Sequence, residues 1–249
     1  MFCMFVYTFK ELTMKKLTMK KLLLLGVLSS VLFVGCKKTT TPTPTNQTSV
    51  SARIKTMKYD SGGTNTYSYD ASGRLTRADF NDSSYTMVEY TSASLITLKG
   101  FKNNLLKTTR KITLNTQGYG VYEEVVDDKI RIDSNFFDAN WFRSSKDQVN
   151  IVENGNVIRR INSKDTTYFT YDLTKLNTIG NNRAFGISWF GRDNNNLVIS
   201  EKHGAKSIAN TQYTYEFDAK NRVVKKTSSY YNNGVKSQKD YITLYTYTD

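Results

Sequence analysis

From Ser49 to Asp249 the chain contains no proline, and along that stretch polar and apolar residues alternate with a period of two. Proline removes a ladder donor, so its absence suits long hydrogen-bonded strands. Alternation at period two puts successive side chains on opposite faces of a sheet. Tyr67 and Tyr69 alternate with Thr66, Ser68 and Asp70; Ile112 and Leu114 with Lys111 and Thr113; Tyr213, Tyr215 and Phe217 with Thr214, Glu216 and Asp218. Ile130 and Ile132, Val149 and Ile151, and Tyr245 and Tyr247 repeat the pattern. Tyrosine and threonine fit a pleated, half-exposed surface. Turn chemistry separates the runs. Asn154 and Gly155 form the strongest hairpin signal, because a two-residue type I′ turn needs positive φ at both positions. Gly62 with Gly63, the tetrapeptides at 70–73 and 218–221, Asp127 with Asp128, and 232–234 read the same way. Strands joined by short turns make an antiparallel meander. The expected fold is all-β: an antiparallel β-meander forming one large rolled sheet or open barrel-like structure.

Two segments break the rhythm. One holds Phe136, Phe137, Asp138, Ala139, Asn140, Trp141 and Phe142; the other runs from Leu173 through Asn181 and Asn182 to Trp189, Phe190, Gly191 and the triplet Asn194, Asn195, Asn196. Each carries one of the two tryptophans. They predict longer connections, with a helical turn, capping one end of the sheet. Trp141, Phe142, Trp189 and Phe190 are the candidate ligand-binding residues, with Asn140 or Arg143 as hydrogen-bonding neighbours. Flat rings make platforms for sugars, yet aromatics bury large areas, and core packing is the competing role.

Ahead of the strands the composition changes. Lys20 and Lys21 precede an apolar run from Leu22 to Val34, and Gly35 stands before Cys36. A run this short suits a secretory signal and falls below the ~20 residues of a membrane-spanning helix. The segment resembles a lipoprotein signal cut before the cysteine that takes the lipid, with Phe33 where leucine is usual. Residues 1–35 are therefore expected to be a signal peptide, and 1–13 a mis-assigned start, since Met14 and Met19 each open a Met-Lys-Lys. Cys36 is the expected lipid-attachment residue. Residues 36–48 are the expected lipid-anchored flexible tether, rich in Thr, Pro and Lys and unable to build a core. Residues 49–249 are expected to form a single β domain. Cys3 and Cys36 are the two cysteines, so that domain is expected to hold without a disulfide.

Tyr67, Ser68, Tyr69, Asp70, Ala71, Ser72, Gly73, Arg74 and Leu75 resemble a tyrosine-aspartate (YD, or Rhs-type) repeat, Tyr-x-Tyr-Asp-x-x-Gly-Arg-Leu. A degenerate copy spans Tyr215 to Val223, with Asn221 in the glycine position, which an αL turn tolerates. Tyr168 to Asp172 carries the first half alone. The layout is similar to the uncharacterised YD-repeat-like lipoproteins of Bacteroidetes envelopes. That resemblance implies a curled β-meander and no particular activity.

Composition and residue chemistry bound the function. His203 is the sole histidine, and no Gly-x-Ser-x-Gly elbow accompanies it. It reads as a polar residue at a strand end. Glu123 and Glu124 are strand neighbours and point to opposite faces, so they do not share a site. No EF-hand spacing surrounds Asp127 and Asp128. The net charge is +13, but the basic residues, Arg159 with Arg160 and Lys225 with Lys226 among them, are scattered over alternating strands rather than gathered for nucleic acid. Asp165, Thr166 and Thr167 match a short glycosylation pattern of exported Bacteroidetes proteins. The expectation is a lipid-anchored cell-envelope protein: a non-catalytic binding or structural module for a glycan or protein partner, without a cofactor and without nucleic acid. Its expected place is the bacterial outer membrane, held by its N-terminal lipid, with the periplasmic face favoured over the cell surface. The alternatives are a carboxylate-based polysaccharide glycosidase or lyase, which needs two acids at roughly 5–10 Å, and a membrane-spanning barrel, which needs a lipid-facing apolar band.

Overall fold

The computed structural model describes residues 52–126, 130–204 and 209–248. Cys36, the signal and tether segments, and the turn at Asp127 and Asp128 lie outside them. The first run of strands is β1 (Ile54–Tyr59), β2 (Thr64–Tyr69), β3 (Leu75–Asp79), β4 (Ser84–Ser92), β5 (Leu95–Lys102), β6 (Leu105–Leu114), β7 (Gly120–Val126) and β8 (Ile130–Ser134). A small hairpin follows, β9 (Phe136–Phe137) with β10 (Arg143–Ser144). The second run is β11 (Val149–Glu153), β12 (Asn156–Ile161), β13 (Thr166–Leu176), β14 (Asn196–His203), β15 (Asn210–Phe217), β16 (Val223–Asn232), β17 (Val235–Lys236) and β18 (Tyr241–Tyr247). One short helix, α1 (Asn181–Phe185), lies between β13 and β14.

Fifteen strands form one antiparallel sheet in the order β11 to β16, β18, then β1 to β8, with β17 paired to β16. Both runs are meanders. They meet at the middle of the sheet, where β1 pairs with β18 from Ile54 opposite Tyr247 to Tyr59 opposite Thr243. The edges are therefore β8 and β11. An odd number of antiparallel strands leaves its two edges running the same way, so no antiparallel ladder can close the seam, and the sheet is open. The Asn154 and Gly155 hairpin has positive φ at both residues, 51° and 74°. The turns at Asn103 with Asn104 and at Asn233 with Gly234 repeat it.

The sheet is rolled. Strands β7 and β12 are twelve steps apart along it; at about 4.8 Å per step a flat sheet would separate them by roughly 58 Å. Yet the Trp189 carbonyl accepts from Gly120 N (3.1 Å), and Asn194 Oδ1 accepts from Val157 N (2.8 Å). Trp189 to Asn194 reaches at most about 18 Å. Only a curled sheet brings both sides to so short a segment.

That segment, residues 177–195, is the centre of the core. Ile187 and Trp189 pack with Leu75, Val88, Ile96 and Ile112 from β3 to β6. Ala184 packs with Ile54, Leu197, Val223 and Tyr245. Close approach demands glycine at Gly186, where φ is 66° and a Cβ would meet the Gly73 carbonyl at 2.6 Å. Arg53 pins the same corner: Nε donates to Gly73 O (3.0 Å), and Nη1 donates to the carbonyls of Asn182 (2.9 Å) and Arg183 (2.8 Å).

The 17 tyrosines have a structural use. Five reach across the inner face and donate to backbone carbonyls: Tyr69 to Ile54 (2.5 Å), Tyr90 to Leu75 (3.1 Å), Tyr171 to Val157 (2.8 Å), Tyr215 to Val198 (2.6 Å) and Tyr247 to Val223 (2.7 Å). Burial raises all five hydroxyls, Tyr90 to about 12. Each ring adds apolar area while its O–H donates to a carbonyl that needs a partner.

The outer face is charged. Arg77 pairs with Asp79 (2.6 Å), Lys99 with Glu89 (2.7 Å) and Lys225 with Glu216 (2.8 Å). The arginine and lysines in a lipid-facing band would each cost about 2–4 kcal/mol at mid-membrane. Among the described residues no helix is long and apolar enough to cross a membrane.

Candidate functional site

One turn design recurs at the end of the sheet that carries the 177–195 insertion. In the 70–74 turn, Asp70 Oδ1 accepts from the backbone N–H of Ser72 and Arg74 (both 2.9 Å), Gly73 N donates to Asp70 O (2.9 Å), and Asp70 N donates to Arg74 O (2.9 Å). Arg74 Nε adds a bond to Asp70 Oδ2 at 2.7 Å. Asp218 does the same with Lys220, Asn221 and Arg222, with Arg222 Nε at 2.7 Å. Burial opposes ionisation of both aspartates, but the N–H donors and the arginine outweigh it and hold both carboxyls below their usual range. Asn115 builds the same turn to Tyr119, and Asp138 builds it to Phe142. In the left-handed position that Gly73 and Asn221 occupy elsewhere, the Asp138 turn has Trp141, with φ 65°.

The Asp138 turn forms part of the rim of a cavity of about 330 Å³. Arg143 on β10, Arg160 on β12 and Arg192 from the insertion line it, with Phe142, Phe190, Asp193, Asn177, Asn181 and Asn194. Guanidinium groups and rings alternate: Arg143 Cζ lies 5.4 Å from the Phe190 ring, Arg192 Cζ 5.6 Å from Phe142 and Arg160 Cζ 5.4 Å from Phe169. Arg143 Nη2 donates to Asn135 Oδ1 at 3.1 Å. Arg160 Nε is buried and has no hydrogen-bond partner among the described residues. Three cations therefore face one carboxylate, and that carboxylate is already engaged. Asp193 Oδ2 accepts from the N–H groups of Asn182 (2.8 Å) and Arg183 (3.2 Å) at the start of α1. Burial still pushes its carboxyl above the usual range. A guanidinium stacked on a ring keeps its N–H edge for a carboxylate or phosphate, so this arrangement suits an anion.

Asparagines hold the cavity wall. Asn156 Nδ2 donates to Asn196 Oδ1, and Asn196 N donates to Asn156 Oδ1, both at 2.9 Å and buried. Asn196 Nδ2 also reaches the carbonyls of Leu173 (3.1 Å) and Lys175 (3.2 Å). The insertion's return is thereby fixed to the β11–β12 hairpin.

The four aromatic candidates part company. Trp189 and Phe142 are buried, each 4% exposed. Phe142 and Phe190 line the arginine cavity; Trp189 and Phe190 line a second, apolar one. Trp141 is partly exposed and lines neither, packing on Tyr119 at 5.3 Å. Asn140 lies on the Asp138 turn, where its backbone N–H is used. Arg160, read from sequence as one of a scattered set, is gathered with Arg143 and Arg192 where the β9–β10 hairpin and the insertion pack against β11 and β12. Arg192 carries no local signal beyond its place after Gly191. His203 ends β14, its Nε2 3.3 Å from Glu201 and its Nδ1 3.3 Å from Thr167 Oγ1. Glu123 and Glu124 lie opposite Ile112 and Lys111 and pair with Arg110 and Lys111, each at 3.5 Å, on opposite faces.

No protein-family profile matches the chain, and no curated protein matches it. Among solved structures it is similar to a porin-like protein from Bacteroides uniformis ATCC 8492, with TM-score 0.55 and 15% identity over 80% of this chain and 98% of that one. The likeness at this identity is one of fold.

Proposed function

We propose that this chain is a lipid-anchored, non-catalytic binding module of the bacterial envelope, and that its arginine cavity takes an anionic glycan. The observation that carries the reading is the convergence of Arg143, Arg160 and Arg192 on one cavity with two phenylalanines and three asparagines. Rings and amides suit sugar faces and hydroxyls, and guanidinium groups suit a carboxylate or phosphate. The envelope address rests on the Cys36 segment, and the porin-like neighbour is consistent with it. The charged outer face favours an anchored domain over a spanning barrel. A glycosidase is less well supported, because Asp193 is the one carboxylate lining the cavity and its oxygen is engaged at α1.

The test is calorimetric titration of the full chain with oligogalacturonate and with its methyl ester. Saturable binding of the acid that weakens with salt, and none of the ester, is expected. Equal binding of both, or of neither, would refute the anionic reading.

A further inference from the structure

The arginine cavity has an apolar neighbour of about 270 Å³ on the inner face of β3 to β5. Leu75, Ala78, Val88 and Leu98 form its floor, and Ile187 and Trp189 from the insertion form its wall. Two residues, Asn181 and Phe190, line both cavities. The insertion therefore presents a cationic chamber on one side and an apolar chamber on the other, with a single side chain pair between them. Phe190, on that divide, is 38% exposed, whereas its neighbour Trp189 is 4% exposed. The Trp189 Nε1 is buried and has no hydrogen-bond partner among the described residues. A simple sugar acid would use the first chamber and leave the second empty. A purely apolar ligand would ignore three arginines.

We infer that the two chambers are halves of one site for an acidic amphiphile, an anionic sugar head carrying a short alkyl or acyl chain. The head sits on Arg143, Arg160 and Arg192. The chain passes Phe190 and lies along Leu75, Val88 and Leu98. This rests on the anionic reading above and adds the apolar half to it. Each methylene that leaves water strengthens binding, so the chain raises affinity only if the second chamber receives it.

The test uses three ligands below their micellar concentrations: glucuronate has the head alone, octyl glucoside the chain with a neutral head, and octyl glucuronide both. Octyl glucuronide is expected to bind at least about tenfold more tightly than glucuronate, and more tightly than octyl glucoside. Thr86→Leu, which fills the apolar chamber, is expected to erase that gain and leave glucuronate binding in place. In a Trp141→Phe background the remaining Trp189 reports the chain directly, and its emission is expected to shift with octyl glucuronide and not with glucuronate. Equal affinity for octyl glucuronide and glucuronate, without an emission shift, would overturn the bipartite site and leave the anionic reading intact. Equal affinity for octyl glucuronide and octyl glucoside would overturn the link to the arginines. Binding of neither acid would remove both.

Discussion

The two tryptophan segments look alike in sequence, each an aromatic pair in a break between strand runs, and they do different work. Trp189 is sealed in the core with Leu75, Val88, Ile96 and Ile112, and its carbonyl ties β7 to the insertion. Trp141 sits at the rim in a left-handed conformation, 36% exposed, its carbonyl accepting from Arg192 N at 2.8 Å. A non-glycine residue held there costs of order 1–3 kcal/mol. The difference is between an anchor and a spacer: one ring holds the roll together, and the other backbone position sets Phe142 and Arg143 against the cavity.

Substitution separates the two most sharply. Trp189→Ala is expected to cost about 3–5 kcal/mol, read as a lowered urea midpoint. Trp141→Ala is expected to cost less than about 1 kcal/mol, because it removes a partly exposed ring from an already strained position. Comparable losses at both sites would erase the distinction.

The turns extend the comparison. Asp70→Ala and Asp218→Ala each remove two backbone caps and an arginine partner, with an expected cost of about 1–2 kcal/mol. Asp138→Ala removes two similar caps and the bond from Asn150 Nδ2 (2.9 Å) but no arginine. Its cost in stability is expected to be smaller, and its cost in anion binding larger, since Phe142 and Arg143 follow directly. Calorimetry on the three variants, alongside their unfolding midpoints, checks the crossover.

Acid gives a gentler probe. Asp70 and Asp218 have folded values below the unfolded carboxylate. Their contribution is therefore complete above about pH 4, the unfolded value, and is lost as pH falls through the lower folded values. Asp193 is shifted the other way and opposes this trend. Asp70→Asn with Asp218→Asn is expected to flatten the fall in midpoint between neutral pH and pH 3, and an unchanged slope would contradict the turn account.

The smallest effect is Trp141→Gly. Relief of the left-handed backbone offsets the lost contact with Tyr119, and the expected net change is within about 1 kcal/mol of zero.

Much of the fold was legible because its determinants are local. Alternation at Tyr67 and Tyr69, positive-φ residues at Asn154 and Gly155, and the Asp70 and Asp218 turns all act within a few residues. The Asp138 turn follows the same chemistry, but Trp141 in place of glycine hides it. The cavity was not legible, because Arg143, Arg160 and Arg192 meet where the β9–β10 hairpin and the 177–195 insertion pack against β11 and β12, and no local pattern records that packing. Phe142 and Phe190 were visible as candidates; that Phe142 lines the arginine cavity alone while Phe190 lines both chambers is a property of the insertion's path.

The most direct measurement compares oligogalacturonate binding by the full chain with binding by the Arg143→Ala, Arg160→Ala and Arg192→Ala variants, each checked for an unchanged unfolding midpoint. Each loss of a guanidinium is expected to weaken binding by about tenfold or more and to reduce its salt dependence. Wild-type affinity in all three variants would place the ligand elsewhere and contradict the account.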